Sequence, residues 1–378
     1  MATEYLTNDI ELTSVADAIR EKGGTSDPLT YPDGFASAVR AIQTGIVPQL
    51  VVTVSTGATV TATNGSKTIS GTSDSTGVCT LIVPEAGTWS VSATLGGQTS
   101  DTKTVSITDS YAVSLYFVSS TLNDNEWSVI KSVSDAGQGA NYWSIGDRKE
   151  VILDGTVGHL ALSNYTTYAF IIGFNHNQEL EGTNRIHFQL AKTALSGGTD
   201  VCFCDSYYTS PVSTTGYFSM NSSATNSGGW ENSQMRTNIC GTSLSNYSGT
   251  MIAVIPDALR AVLKSVTKYT DNTGNNSTSA SAVTATKDYF FLLSEFEVFG
   301  SISRANSNEA SKQAQYAYYS AGNSKVKHKH NGTSAAARWW LRSPLASNSD
   351  GFENVNTDGT VEDRTARASF GFAPGFCV

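Results

Sequence analysis

Two stretches near the carboxyl end constrain this chain more than any others. Trp339-Trp340-Leu341-Arg342-Ser343-Pro344 and Gly371-Phe372-Ala373-Pro374-Gly375-Phe376-Cys377-Val378 are aromatic and apolar, and they bracket a polar run over residues 345–370. Segments this rich in Trp and Phe call for burial, so the chain must leave the core after the first and return to it for the second. Inside the run, Phe352-Glu353-Asn354-Val355 and Thr360-Val361-Glu362 read as short strands. Asn356-Thr357-Asp358-Gly359 between them ends in Asp-Gly, a strong hairpin signal. The pattern suits a rigid sheet that carries an exchangeable face. Leu345, Ser347, Asp350, Phe352, Glu353, Glu362, Asp363, Arg364, Arg367 and Phe370 mix aromatic, acidic and basic side chains without a clean period. They are the expected ligand-binding residues, because aromatic and arginine anchors dominate the energetics of interfaces. Trp339, Trp340, Arg342, Phe372, Pro374 and Phe376 are the expected frame.

Composition limits the partners. At 378 residues the chain exceeds one ordinary domain and can bury a sizeable core. Only 15% of residues are charged and the net charge is -9, so the polar balance comes from Ser, Thr, Asn and Gly. An acidic chain without a basic stripe argues against a nucleic-acid partner. The basic cluster Lys325-Val326-Lys327-His328-Lys329-His330 reads as a solvated loop. Met1-Ala2-Thr3-Glu4-Tyr5 lacks the basic start and apolar run of a signal peptide, and no stretch is apolar enough to span a membrane. Synthesis and assembly in a cytoplasm without membrane insertion are therefore expected. Five cysteines do not make a disulfide framework, and Cys202 and Cys204 read as buried thiols on one face of a strand.

Three segments follow from the periodicity, and together they imply a multidomain, mainly β chain with an α+β part. Residues 1–46 form a small helical head. Leu12, Val15, Ala16 and Ile19 recur at helical spacing, Gly23-Gly24 stops that helix, and Pro32-Asp33-Gly34 opens a second one carrying Phe35, Val39 and Ile42. Residues 47–118 switch to a period of two, in Leu50 to Val54, Thr59 to Thr63, Leu81 to Val83, Trp89 to Ala93 and Ala112 to Phe117. Asn64-Gly65 and Gly96-Gly97 mark turns, which together predict an all-β sandwich with Trp89 in its core. Residues 119–378 hold most of the aromatics and read as an irregular α+β domain. Helices are expected over residues 256–264, with Pro256 near the first turn, and over residues 308–319. The Ser/Asn/Gly stretches 219–229 and 270–281 are expected to be surface loops.

Each segment resembles a known class. Leu12-Thr13-Ser14-Val15-Ala16-Asp17-Ala18-Ile19-Arg20, then Lys22-Gly23-Gly24-Thr25 and Tyr31-Pro32-Asp33-Gly34-Phe35, is similar to the amino-terminal segment of tail and baseplate-associated proteins of phages of Gram-positive bacteria. Residues 72–80, followed by Pro84-Glu85-Ala86-Gly87-Thr88-Trp89, resemble carboxypeptidase-regulatory or bacterial Ig-like spacer modules. Residues 119–378 resemble C-type-lectin-fold proteins, including the variable proteins of diversity-generating retroelements. The landmarks are Trp143-Ser144-Ile145-Gly146-Asp147, Leu153-Asp154-Gly155, Gly229-Trp230, the run from Leu292 to Gly300, and Trp339-Trp340-Leu341-Arg342-Ser343-Pro344. The resemblance implies a phage or prophage tail-tip receptor-binding protein on the virion tail. Its head would join other tail or baseplate proteins, its lectin-like tip would bind a host-surface protein or glycan, and the chain would form a homo-oligomer, a trimer first. The segment 345–370 would be the diversified part.

Chemistry-bearing residues are few. His159, His176 and His187 stand singly in strand-like surroundings and read as imidazoles with satisfied hydrogen bonds. Glu295 and Glu297, two apart, share one face if the segment is a strand. They support the alternative reading, a surface-polysaccharide hydrolase, although a polar edge or a buried pair with Arg342 is the simpler use. Asp350, Asp358 and Asp363 supply oxygens suited to calcium but no ordered ligand loop. No nucleophile elbow, zinc-protease motif or phosphate loop is present, and the cysteine pattern of formylglycine-generating enzymes, which share the lectin-like fold, is not reproduced. The expectation is a binding protein without enzymatic activity, metal or cofactor.

Overall fold

The computed structural model describes residues 9–23, 28–41, 47–65, 67–205, 208 and 218–378. It divides into two units, Met1–Phe117 and Val118–Val378, each richer in strands than in helices.

The first unit begins with the helices Asp9–Gly23 and Asp33–Ala41. Asp9 and Glu11 open the first helix while Arg20 and Lys22 close it, a charge order that complements its dipole. This helix buries only Ala16 and Ile19, and Val15 and Val39 are half exposed. The expected Ile42 lies outside the described residues. Beyond the head, two sheets share one core. Gln49–Thr53 lies between Val78–Ile82 and Ser110–Ser114 in one. In the other, Thr59–Asn64 and Gly87–Leu95 are flanked by Lys67–Thr72, Gln98–Thr99 and Lys103–Ile107. Leu50, Val52, Val60, Leu81, Trp89, Val91 and Ile107 meet between them. Asn64-Gly65 and Gly96-Gly97 each lie where one strand turns into the next, as their φ values of 57° at Gly65 and Gly96 require.

The second unit is organised around a five-stranded antiparallel sheet in the order Phe290–Phe291, Gly375–Cys377, Ile186–Lys192, Leu160–Phe174, Arg148–Val157. Every residue of Ile186–Lys192 is buried, so this strand has covered faces on both sides. Gly375 is small for a reason: a Cβ there would meet the Phe291 ring at 2.7 Å. A second sheet consists of Trp339–Pro344, Gly351–Val355 and Val361–Thr365. The last two form the expected hairpin, and Gly359 at φ 86° makes its turn. Two smaller sheets, Val201–Cys202 with Lys327–Lys329 and Gly332–Ala337, and Val266–Asp271 with Val283–Asp288, complete the unit. One cluster of apolar side chains joins these elements, with Trp127, Phe170, Phe188, Trp230, Trp339 and Trp340 among its largest members.

Four expectations need correction. The helix expected over 256–264 is the single turn Asp257–Arg260, and Pro256 is its N-cap, not a helical residue. Residues 308–319 are not one helix: Ser307–Ser311 is a 3-10 turn and Ala317–Ser320 a separate helical turn. Between them Tyr316 is drawn into the core, its N–H donating to Glu297 O at 3.0 Å. Glu295 and Glu297 lie on the short helix Glu295–Phe299, not on a strand, because Ser294 and Glu297 form a capping box. The basic cluster is no solvated loop either. Lys327 is 1% exposed, and its ammonium rests over the rings of Phe170 and Trp339 at 5.3 and 5.2 Å. Burial pulls its pKa down to about 8.

Trp340 is fully buried, packs on Phe370 at 4.8 Å between ring centroids, and donates its indole N–H to Phe218 O at 2.9 Å. Trp340→Ala and Phe370→Ala should each lower stability by about 3–5 kcal/mol, the usual cost of emptying an aromatic core site. Equilibrium urea unfolding of the full chain measures this.

Candidate binding cleft and its buried support

Arg342 projects from the fully buried strand Trp339–Pro344. Its guanidinium forks onto Glu297, with Nη1 to Oε2 at 2.5 Å and Nη2 to Oε1 at 2.9 Å, and Nε donates to Thr270 Oγ1 at 2.7 Å. The alternation of Val266–Asp271 puts Lys268 on the same side as Thr270. The Lys268 ammonium donates to Glu297 Oε1 at 2.9 Å, Glu181 Oε2 at 2.7 Å and the Tyr316 hydroxyl at 2.7 Å, and faces the Phe291 ring at 4.3 Å. Two carboxylates and two cations thus balance inside the core. Burial alone would raise the Glu297 pKa, yet Arg342 and Lys268 hold it well below the usual range. Burial wins at Glu181 and pushes it upward.

His176 stacks on Tyr316 with centroids 3.7 Å apart, and His187 Nδ1 lies 3.1 Å from the Tyr316 hydroxyl. Burial, with Lys268 next, lowers the pKa of both imidazoles, that of His176 to about 3. His176, Glu181 and Glu297 offer ligand atoms within 4.8 Å of one another, the geometry of a possible metal centre. The Lys268 ammonium already bridges the two carboxylates, and Arg342 neutralises the rest. A divalent ion would enter beside two fixed cations, so the cluster is better described as a salt-bridge network. His187 lies on a strand as expected and is also buried, whereas His176 follows a strand end and His159 sits in a turn.

Glu295 carries the network outward. Its Oε1 accepts from Ser303 N and Oγ at 2.8 and 2.7 Å, and its Oε2 from Arg304 N at 3.2 Å and Ala305 N at 3.0 Å. One buried carboxylate therefore fixes residues 303–305. Asn226 does the same for residues 345–351: its amide donates to Leu345 O, Asn348 O and Gly351 O at 3.3, 3.0 and 3.0 Å. Ala346 N donates to Arg304 O at 3.1 Å and ties the two segments together. With the hairpin residue Val361 they enclose an open cleft of about 600 Å³ lined by Ser303, Arg304, Ala305, Ala346, Ser347 and Val361. Arg304 pairs with Asp363 at its edge, while Glu362 on the same strand pairs with Arg338 and Arg364.

The structure sorts the ten expected ligand-binding residues into two groups. Ser347 lines the cleft, Asp350 and Arg367 are exposed, and Glu362, Asp363 and Arg364 are half-buried along Val361–Thr365. Leu345, Phe352, Glu353 and Phe370 are buried, which corrects their placement on a contact face. Gly351–Val355 is the middle strand of its sheet and is buried throughout, so apolar and polar residues do not alternate there. The missing period signals two covered faces, not an exposed one. Asp358 closes its own turn by accepting from Thr360 N at 3.0 Å, and Asp363 is engaged by Arg304. Asp350, Asp358 and Asp363 make no ligand group among the described residues. Of the Glu295/Glu297 pair, Glu297 meets Arg342 as the simpler reading has it, and both carboxylates are buried. Ser303, Arg304 and Ala305 carried no sequence signal, and Ala346 and Val361 were expected only as part of the polar run and its hairpin; bonds from Glu295 and Asn226 and the pairing of Val361 with Val355 bring them together.

The Glu353 carboxyl is fully buried beside that of Glu295, and protonated it donates a hydrogen bond to that carboxylate. Burial first, then Glu295 and Glu309 opposite it, push its pKa well above the usual carboxylate range, with Arg304 opposing weakly. Glu309 is driven to about 7 by burial.

Compared with known families, residues 211–378 match a family described as a domain of unknown function, DUF6273. The match includes every cleft-lining residue and covers less than half of the chain. No curated protein matches the chain significantly.

Two outcomes follow. Glu297→Gln leaves Arg342 and Lys268 with one buried partner too few and should cost about 3–5 kcal/mol in denaturant unfolding. Glu353 takes up its proton more readily when folded, so its contribution to stability is full below about pH 4.5 and is lost as pH rises through its folded pKa. Glu353→Gln cannot lose that contribution. Followed by denaturant unfolding at several pH values, the stability of the variant relative to the parent should therefore rise as pH is raised from about 4.5 towards neutrality. A flat difference across that range would show that Glu353 keeps an ordinary pKa.

Proposed function

We propose that the chain is a receptor-binding protein of a phage or prophage tail tip, recognising a host-surface protein or glycan through the cleft beside the hairpin Gly351–Val355/Val361–Thr365. The observation that carries this reading is the contrast between the cleft and its support. An open, polar, about 600 Å³ recess is bounded by segments whose backbones are fastened from below by Glu295 and Asn226. Fixed loops on a rigid base suit recognition, since little order has to be gained when a ligand arrives. In this reading the second unit has a C-type-lectin-like fold and the two-sheet part of the first is an Ig-like spacer. The exposed Ile10, Val15, Tyr31 and Val39 of the head are where other tail proteins and the copies of a homo-oligomer, a trimer first, would meet. Weak single sites on one particle would then gain from effective concentration. The polar run 345–370 would be diversified only at outward positions such as Ser347, Asp350, Glu362, Asp363, Arg364 and Arg367. A near-copy of its coding segment beside a reverse-transcriptase gene, differing chiefly at adenines, is the genomic observation to seek.

A hydrolase needs carboxylates with free lone pairs at the substrate. Glu295 and Glu297 are both buried and engaged, the first by three backbone N–H groups and the second by Arg342 and Lys268. This favours recognition over cleavage.

Fluorescently labelled full-length protein should bind some members of a panel of Gram-positive strains, and Ser347→Trp should abolish that binding while leaving stability within about 0.5 kcal/mol, as surface changes generally do. Binding to no strain, or binding untouched by Ser347→Trp, counts against the proposal. Polysaccharide cleavage lost in Glu295→Gln would instead support the hydrolase.

A further inference from the structure

We infer that the cleft takes an acidic sugar, a glycan residue whose carboxylate is held by Arg304 in exchange for Asp363. This rests on the recognition reading above and specifies its ligand.

The described lining residues supply one charge, on Arg304, together with the hydroxyl of Ser347, that of Ser303, which donates to Glu295 Oε1 and is left to accept, and the small apolar surfaces of Ala305, Ala346 and Val361. Among the described residues the lining contains no aromatic ring, so a neutral sugar finds no stacking platform there, and Arg304 must supply most of the orientation. Two hydroxyls and a shallow alkyl patch match the alternating polar rim and apolar face of a pyranose ring. The volume, about 600 Å³, falls within the usual range for small-ligand sites.

Arg304 is built for the exchange. Its backbone is held on both sides, N to Glu295 Oε2 at 3.2 Å and O to Ala346 N at 3.1 Å, so its Cα is fixed. Its side chain is 41% exposed and its partner Asp363 32% exposed. An exposed ion pair of this kind binds its members weakly, whereas a ligand carboxylate can accept two parallel N–H bonds from a guanidinium. Asp363 then acts as a stand-in for the ligand, keeping the guanidinium near its bound position while the cleft is empty. An acidic peptide fits less well, because the lining offers no second cation among the described residues for the next acidic side chain.

Calorimetric titration of the full-length protein tests this, with D-glucuronate, D-galacturonate, N-acetylneuraminate and short oligomers of each as ligands. D-Glucose serves as the neutral counterpart and hexaglutamate as the acidic peptide. At least one acidic sugar should bind, with affinity falling as salt is raised. Arg304→Gln should weaken it about tenfold or more, and Asp363→Asn should tighten it several-fold by releasing the guanidinium. Thermal melts of both variants separate loss of binding from loss of fold, and Asp363→Asn gives a gain that unfolding cannot mimic. Equal affinity for glucose, tighter binding of hexaglutamate, or indifference to both substitutions overturns the inference. If cells are still bound and Ser347→Trp still blocks them in that case, the recognition reading survives with another ligand class. If neither cells nor sugars are bound, both fall together.

Discussion

The second unit depends on one carboxylate. Glu297 receives the fork of Arg342 and one arm of Lys268, and its own position is set by the capping box with Ser294. These contacts join four elements that are far apart in sequence: the helix Glu295–Phe299, the strands Trp339–Pro344 and Val266–Asp271, and, through Lys268, Glu181 after the long hairpin. Apolar packing would hold such elements together in many relative positions. A buried fork with two fixed distances on each side permits few, because any displacement strands a charge in the core. The network's value therefore lies less in net stability than in the choice of one arrangement.

That choice reaches the surface through short links. Glu295 is adjacent to the network in sequence and spends both oxygens on the backbone of residues 303–305. Glu309 accepts from Asp271 N and from the hydroxyl of Ser343, next to Arg342. Asn226 fastens the other wall with one amide. Side chains lining the cleft make few of these bonds, so they can be exchanged without loosening the backbone that presents them.

Much of this fold was legible in the sequence where the signal was local. Asp358-Gly359 marked its hairpin, Asn64-Gly65 and Gly96-Gly97 marked theirs, and the alternation around Trp89 gave a strand with Trp89 in the core. The signal failed where burial was two-sided or tertiary. Phe352, Glu353 and Phe370 lacked a period because the strand and its surroundings are covered on every side. Lys327 looked solvated because nothing nearby in sequence announces the rings of Phe170 and Trp339. Capping by Ser294 turned an apparent strand at Glu295 and Glu297 into a helix. Of the cleft itself only Ser347 had been expected as a binding residue, since its other walls meet through bonds that span scores of residues.

The strand Gly375–Cys377 occupies the interior of the main sheet, between Phe290–Phe291 and Ile186–Lys192, and it lies downstream of the polar run. Without it, Phe376 is missing from its stack on Phe188 and two strands are left with open edges. A frameshift or stop codon within residues 345–370 would remove this strand altogether, whereas an in-frame substitution at an outward position would not touch it. The fold thus proofreads its own message: a copy of the gene altered in that run can give a closed core only if its reading frame is intact.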